Sequence, residues 1–283
     1  MKILITGATG FIGNYVVKEL LKYKEHSIIA TSIENIKKLK ENKWINDVTY
    51  ISRDLNDEDE DYYSFFGKPD ILIHLSWEGL PNFKELYHFE RNTINNYKFI
   101  RNMVINGLKD VNVIGTCFEY GMQSGSLSED LPSNPITAYG LGKDTLRKYL
   151  EELKKKHDFC FKWIRLFYMY GEGQSVKSIL PQLNISLNNN DEVFNMSGGE
   201  QIRDYLPVSK VAEHIVKISL QKEVTGIINN CSGEPISIRK LVENHINKRN
   251  KKIKLNLGFY NYPDYVPMAF WGNNNKLKSI LNK

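Results

Sequence analysis

The chain has 283 residues, 41% hydrophobic and 25% charged, which is ordinary globular composition with room for one large domain or two modest ones. Its 38 basic and 33 acidic residues leave a net charge of +5, and no basic stripe interleaves with aromatics, so nucleic acid is not an expected partner. Three widely spaced cysteines (Cys117, Cys160, Cys231) suggest neither a disulfide framework nor a metal site. No apolar run approaches the ~20 residues of a membrane span, and the chain starts on a strand rather than a signal peptide, so it is expected to be cytoplasmic.

The first element is the apolar run Lys2-Ile3-Leu4-Ile5-Thr6. It ends in Gly7, Gly10 and Gly13, spaced Gly-x-x-Gly-x-x-Gly, and helical periodicity follows over Gly13–Tyr23. A strand, a glycine turn and a helix make a dinucleotide site. Gly7 permits a sharp turn, Gly10 lets a pyrophosphate approach the backbone, and Gly13 lets the helix lie close to the sheet. The helix N-terminus then offers unpaired N–H groups to the phosphates. The plain alternative is a tight β-turn-α unit without a ligand.

Further apolar runs follow at Ser27–Thr31, Val48–Ile51, Ile71–Leu75, Val111–Thr116 and Phe161–Phe167. Helical segments are expected at Asn35–Asn42, about Phe89–Asn106 and Ala138–His157. Short, nearly continuous apolar strands alternating with helices predict an α/β fold, a doubly wound parallel sheet covered on both faces. Ligands sit at the carboxyl ends of such strands. At the second strand end, an acidic residue would bind the adenosine ribose diol and repel a 2′-phosphate. Thr31 and Ser32 stand there instead, with Lys37 and Lys38 close behind, which favours NADP over NAD.

After Phe167, Gly171, Gly173, Pro181 and the polar run Asn188–Asp191 break the pattern. A helix (Ser209–Gln221) and a strand (Gly226–Asn230) then return to the sheet. The C-terminal third reads as irregular and aromatic, with Tyr260, Tyr262, Tyr265, Phe270 and Trp271 close together. The expected division is a dinucleotide-binding domain of 1–167 plus 205–232, and a smaller discontinuous lobe of 168–204 plus 233–283.

Tyr139 and Lys143, four apart, share one helix face. A lysine cation near a phenol lowers the phenol's pKa from about 10 and makes the pair usable for proton transfer. Thr116 ends the fifth strand, where its hydroxyl would face the cleft. The alternatives are an ordinary helix face with a snorkelling lysine, and a strand threonine with a satisfied hydroxyl.

Taken together, these segments resemble the extended short-chain dehydrogenase/reductases over nearly the whole length. Thr6-Gly7-Ala8-Thr9-Gly10-Phe11-Ile12-Gly13 matches that family's glycine motif, and Asp54-Leu55 its adenine-contacting pair. His74-Leu75-Ser76 matches the fourth-strand segment, and Asn92 the asparagine of the next helix. Thr116, Tyr139 and Lys143 match the catalytic triad, and Glu119-Tyr120-Gly121 the segment after the catalytic hydroxyl. Arg165–Gln174 resembles the lobe junction and Arg203-Asp204-Tyr205 the diphosphate-binding segment. Within the family, Gly115–Gly121, Leu166–Gly171 and Met196–Tyr205 are most similar to NDP-4-keto-6-deoxyhexose reductases of bacterial deoxysugar synthesis. Cys117 and Phe118 stand where dehydratases carry an Asp-Glu pair.

The resemblance implies a Rossmann-type sheet and NADPH as hydride donor to the C4 ketone of a nucleotide-diphosphate sugar. Tyr139 would be the acid and Thr116 a hydrogen-bond donor to the same oxygen. Lys143 would hold the nicotinamide ribose and tune Tyr139, with Asn92 linking Lys143 to solvent. Gly7, Thr9, Gly10, Phe11, Ile12, Gly13, Ser32, Asp54, Leu55, Leu75, Ser76 and Asn92 would hold the cofactor. Trp77, Cys117, Phe118, Glu119, Tyr168 and Arg203 would face the sugar nucleotide, although Trp77 also reads as packing and Arg203 as a surface ion pair. The resemblance further implies a homodimer. A nucleotide-sugar epimerase with retained NAD, or a non-catalytic nucleotide sensor on the same fold, are the other readings.

Overall fold

The computed structural model describes residues 1–39, 42–57 and 61–282. In chain order its first half comprises β1 (Lys2–Thr6), α1 (Phe11–Leu20), β2 (Ser27–Ser32), β3 (Thr49–Ser52), α2 (Tyr62–Phe65), β4 (Ile71–His74), α3 (Thr93–Ile105), β5 (Asp110–Thr116), β6 (Gly125–Leu127), α4 (Ala138–Lys154) and β7 (Cys160–Leu166). The second half adds β8 (Tyr168–Tyr170), α5 (Ile179–Asn189), β9 (Val193–Asn195), β10 (Ile202–Pro207), α6 (Val208–Leu220), β11 (Gly226–Asn230), β12 (Pro235–Ser237), α7 (Ile238–Lys248), β13 (Lys254–Asn256), β14 (Phe270–Gly272) and α8 (Asn275–Leu281).

Seven strands form one sheet in the order β3-β2-β1-β4-β5-β7-β11, and every neighbouring pair is parallel. This is the Rossmann-type sheet the strand–helix alternation predicts. The order reverses between β1 and β4, so a crevice opens beyond their carboxyl ends. Side chains alternate across the sheet. Ile3 and Ile5 face a core built with Val16, Val17 and Leu20 of α1 and Val211 and Ile215 of α6. Leu4 faces the opposite core, with Phe99, Ile100 and Met103 of α3 and Leu146 and Leu150 of α4.

A smaller sheet, β12-β10-β8, and the pair β13-β9 carry a separate core of Leu180, Leu183, Leu187, Phe194, Met196, Leu241, Val242 and Ile246. Two helices of this region, α5 and α7, replace the expected irregular chain. α7 is capped by Ser237, whose hydroxyl accepts from the Lys240 N–H at 3.1 Å, and it buries Leu241, Val242 and Ile246. The last helix, α8, leaves this core and packs Leu277 and Ile280 against the large sheet's first face. The helix expected over 35–42 is only a 3₁₀ turn at Ile36–Leu39, and residues 40 and 41 lie outside the described residues. The one expected near Phe89 opens with a π turn, His88–Asn92, before α3.

Candidate active site

Thr6 ends β1, and Gly7 turns the chain at φ +65°, where L side chains are strained. A Cβ on Gly13 would stand 2.1 Å from the Gly7 carbonyl oxygen, so α1 starts this close to the strand only because glycine is there. Asn14 braces the turn, donating from Nδ2 to the Thr9 carbonyl at 2.7 Å and accepting the Trp44 indole N–H at 2.9 Å. Beside the turn runs a groove of about 310 Å³ lined by Gly7, Thr9, Gly10, Ser32, Asp54, Leu55, Leu75, Ser76 and Asn92. Phe11 and Ile12 open α1, Phe11 packing edge-on against Tyr15 and Ile12 against the core. Bare backbone and the α1 N-terminus at one end, with Ser32 and Asp54 at the other, fit a dinucleotide.

Three further groups converge beyond β5. Thr116 ends that strand, and α4 begins at Ala138 behind Thr137, whose hydroxyl accepts from the Gly140 N–H at 3.0 Å. The Thr116 hydroxyl accepts from the Phe118 N–H at 3.3 Å and lies close enough to the Tyr139 phenol to influence it. One turn on, Lys143 donates from Nζ to the Ile114 carbonyl at 2.8 Å and lies 4.0 Å from the centre of the Trp77 ring. The rings of Trp77, Phe83, His88 and Phe118 surround Tyr139 at centroid distances of 5.4 to 6.1 Å.

That cage overturns one expectation. Lys143 does not lower the Tyr139 phenol; burial raises it, and the nearby Thr116 hydroxyl offsets only part of the rise. The group that moves toward neutrality is Lys143 itself. Burial brings its ammonium from 10.5 down to about 7, with the Glu119 charge opposing. The consequence for stability has a definite sign. Between pH 7 and 10.5 the unfolded chain binds a proton that the folded chain has released, so Lys143's contribution to stability rises with pH through that window. Lys143→Met should therefore unfold at higher temperature than the parent at pH 7, with the advantage shrinking as pH rises. Thermal melts across that range check it, and equal midpoints at pH 7 would refute it.

Among the residues expected to face substrate, Glu119 does not. It is fully buried and accepts from the Thr116 N–H at 2.8 Å, the Trp163 indole at 2.9 Å and the Arg165 Nε at 2.6 Å. Burial raises its carboxyl, and Arg165 works against that rise. Its role is to lock the turn after β5. Asn92 likewise reaches the Glu78 carbonyl at 3.0 Å rather than Lys143. Trp77 belongs to the groove lining, and its indole N–H donates to His88.

Cys117, Tyr168 and Arg203 do gather. Tyr168 stands beside Tyr205 at 5.4 Å with the Arg203 guanidinium 5.7 Å from its ring centre, and burial pushes the Cys117 thiol up to about 12. Arg203 is buried, not a surface ion pair. Its guanidinium lies 4.7 Å from the Phe270 ring and donates to the Ile202 and Met268 carbonyls at 2.8 and 3.1 Å. On the other face of β10, Asp204 accepts from the Ser232 and Gly233 N–H groups at 2.7 and 2.9 Å. Two hollows open in the same lobe. One of about 600 Å³ is lined by Tyr170, Tyr205, Leu180 and His245, and one of about 330 Å³ by Gln182, Phe194, Met196 and Tyr260.

Sequence reasoning missed Phe83, His88 and Tyr265. Phe83 stacks on Phe118 at 4.9 Å, its carbonyl accepts the Tyr139 N–H at 3.0 Å, and Tyr265 stacks on Phe118 at 6.2 Å. Lys84 and Asp264, 3.1 Å apart, tie the two loops together. For Tyr265 the C-terminal aromatic cluster is the available signal; the loop after β4 offers none for the others. Among the described residues no cluster of His, Cys, Asp or Glu could hold a metal, and no helix is long and apolar enough to cross a membrane.

A glycine turn at the sheet's switch point, with threonine, tyrosine and lysine converging on the next strand ends, defines a short-chain dehydrogenase/reductase. Residues 3–231 match the NAD dependent epimerase/dehydratase family, and the chain belongs to it. The chain is 30% identical to dTDP-6-deoxy-L-talose 4-dehydrogenase (NAD(+)) of Aggregatibacter actinomycetemcomitans, over 96% of this chain and 99% of that protein. It is 27% identical to dTDP-4-dehydro-6-deoxyglucose reductase of Escherichia coli, over 88% and 82% respectively. Its fold is similar to that of UDP-glucuronic acid 4-epimerase from Bacillus cereus, with a TM-score of 0.83 and 23% identity over 100% of this chain and 93% of that one.

Proposed function

We propose that the chain reduces the C4 ketone of a nucleotide-linked 4-keto-6-deoxyhexose, using a nicotinamide cofactor. The observation that carries this reading is the Tyr139 phenol, placed beside Thr116 and kept protonated by burial in its ring cage. A ketone turning into an alkoxide needs a proton at its oxygen, and a protonated phenol is in the right state to give it. Thr116 steadies the same oxygen as its charge grows. Cys117 and Phe118 leave no carboxyl pair for dehydration. The apolar rings of Phe83 and Phe118 suit a C6 methyl better than a hydroxymethyl, whose hydroxyl would go unpaired there. The relatives named above for dTDP-6-deoxy-L-talose and dTDP-4-dehydro-6-deoxyglucose support the same class.

The cofactor, when bound, supplies the hydride. Gly7, Thr9 and Gly10 would hold its phosphates, Asp54 and Leu55 its adenine, and Lys143 its nicotinamide ribose. At the adenosine end, Ser32 is engaged with the Tyr50 hydroxyl at 2.7 Å and the Glu34 N–H at 3.2 Å, and the groove lining includes Glu34 and Arg53. Lys37 and Lys38 sit in the 3₁₀ turn beyond. The NADP preference expected from Thr31 and Ser32 thus meets a carboxylate that disfavours a 2′-phosphate. We read the groove as accepting NADH at least as well as NADPH.

Arg203 would pair the sugar's diphosphate, a role suited to guanidinium, with Tyr168 and Cys117 alongside. The hollow lined by Gln182, Phe194, Met196 and Tyr260 would take the base. Exposed Ile94 on α3 with Leu141 and Tyr149 on α4 supports a homodimer, which light scattering at micromolar concentration reads directly.

The test is cofactor oxidation, with NADH and NADPH, against dTDP-, CDP- and GDP-linked 4-keto-6-deoxyhexoses. Turnover on at least one of them is expected; none on any would sink the reading. An epimerase would use the same triad but keep its cofactor, so nicotinamide carried through purification separates the two.

A further inference from the structure

The loop after β4 places two aromatic residues over the catalytic helix that no part of the proposed reaction yet uses. The Trp77 indole N–H donates to His88 Nδ1 at 3.0 Å, and His88 Nε2 lies 3.0 Å from the Asn82 carbonyl oxygen. A carbonyl only accepts, so Nε2 carries the proton and Nδ1 presents its lone pair to the indole. These two bonds admit a single state, the neutral Nε2–H tautomer. His88 is fully buried, and its segment is held against α4 through Thr93, whose hydroxyl lies 3.0 Å from the His88 carbonyl and 2.9 Å from that of Gly142.

The indole so held lies with its face 4.0 Å from the Lys143 ammonium and its ring 6.1 Å from that of Tyr139. Among the described residues Lys143 has one hydrogen-bond acceptor, the Ile114 carbonyl. One hydrogen bond does not fix an ammonium on a flexible four-carbon stem; a negative ring face above it supplies the second restraint.

We propose that Trp77 and His88 are positioning residues: neutral His88, anchored on Asn82, holds the Trp77 indole as a roof that fixes Lys143 beside Tyr139. This rests on reading Tyr139 and Lys143 as the catalytic pair, whichever sugar ketone is the substrate. His88 acts through Trp77, and Trp77 through Lys143.

The test uses the whole chain and the variants His88→Leu and His88→Asn, since asparagine can restore an acceptor near Nδ1. Two readouts are taken. The first is the titration of Lys143 by NMR on lysine labelled at the ε-methylene, assigned with Lys143→Met. The titratable groups that interact with Lys143 are Glu119, His74 and His88, with Tyr139 one turn before it on α4. A displaced roof should move the Lys143 midpoint by about half a pH unit or more. The second readout is steady-state kinetics, with kcat falling about tenfold to a hundredfold in His88→Leu while KM for the cofactor holds within about threefold. In both, His88→Asn should return toward the parent.

An unchanged Lys143 midpoint in His88→Leu overturns the proposal. So does a kcat loss that asparagine does not restore, which would mark His88 as packing only. If the parent turns over no sugar ketone, the proposed reaction fails, and the NMR readout still decides whether the roof exists.

Discussion

Tyr139→Phe should lower kcat by about 10²- to 10⁴-fold while the cofactor still binds with near-parent affinity. The phenol hydroxyl is the one atom removed, and the ring keeps its neighbours Trp77, Phe83, His88 and Phe118. Packing is therefore preserved, and the loss reads on proton donation alone. Thr116 stays within reach of a substrate oxygen but donates from an aliphatic hydroxyl, a far weaker acid than a phenol. The pH behaviour follows from the raised phenol. Its acid form persists above pH 10, so this group imposes no fall in reduction rate between pH 7 and 9. Fluorescence titration of the cofactor beside initial rates makes the measurement. Turnover within tenfold of the parent would remove Tyr139 from the acid role.

Glu119→Ala should cost about 3–5 kcal/mol of folding stability, the range for removing one partner of a buried ion pair. Alanine there leaves the Arg165 guanidinium without its carboxylate and the Trp163 indole and Thr116 N–H without their acceptor. Arg165 has little else to turn to: among the described residues its Nη1 has no hydrogen-bond partner, and its guanidinium lies 4.4 Å from the centre of the Tyr120 ring. The effect should be strongly non-additive. Removing Arg165 as well as Glu119 should cost clearly less than the two single losses summed, because no buried charge is then orphaned. Urea unfolding of the four chains measures the coupling. A cost for Glu119→Ala below about 1 kcal/mol would mean that the buried pair contributes little.

The large sheet was legible because its strands are continuous apolar runs bounded by turns, and the glycine spacing announces the turn after β1. The residues lining the groove beside the glycine turn could be placed together because they follow strand ends directly. Elsewhere the local signals misled. Pro181 reads as a breaker, yet it stands in the first turn of α5, where a missing N–H costs nothing. Ile238, Leu241, Val242 and Ile246 carry a helical period in α7, overshadowed by the aromatic residues that follow. Glu119 looked like a site residue because it directly follows Phe118, in the segment that resembles the one after the catalytic hydroxyl. Only the three-dimensional course of the turn shows that its side chain points into the sheet. Phe83 and Tyr265 meet Phe118 from segments far apart in sequence, and no local pattern reports such an encounter.

The return of α8 to the large sheet has a consequence for how the molecule is made. Leu277 and Ile280 complete the face that Ile3, Ile5, Val211 and Ile215 begin. A chain emerging from the ribosome therefore carries that face unfinished until α8 has appeared. The large sheet's core cannot mature ahead of the smaller core threaded through it, so the two are expected to assemble and come apart as one cooperative unit. During synthesis the exposed apolar flank between α6 and β11 is a natural client for a chaperone, and a protein clipped near residue 275 would be left holding it open.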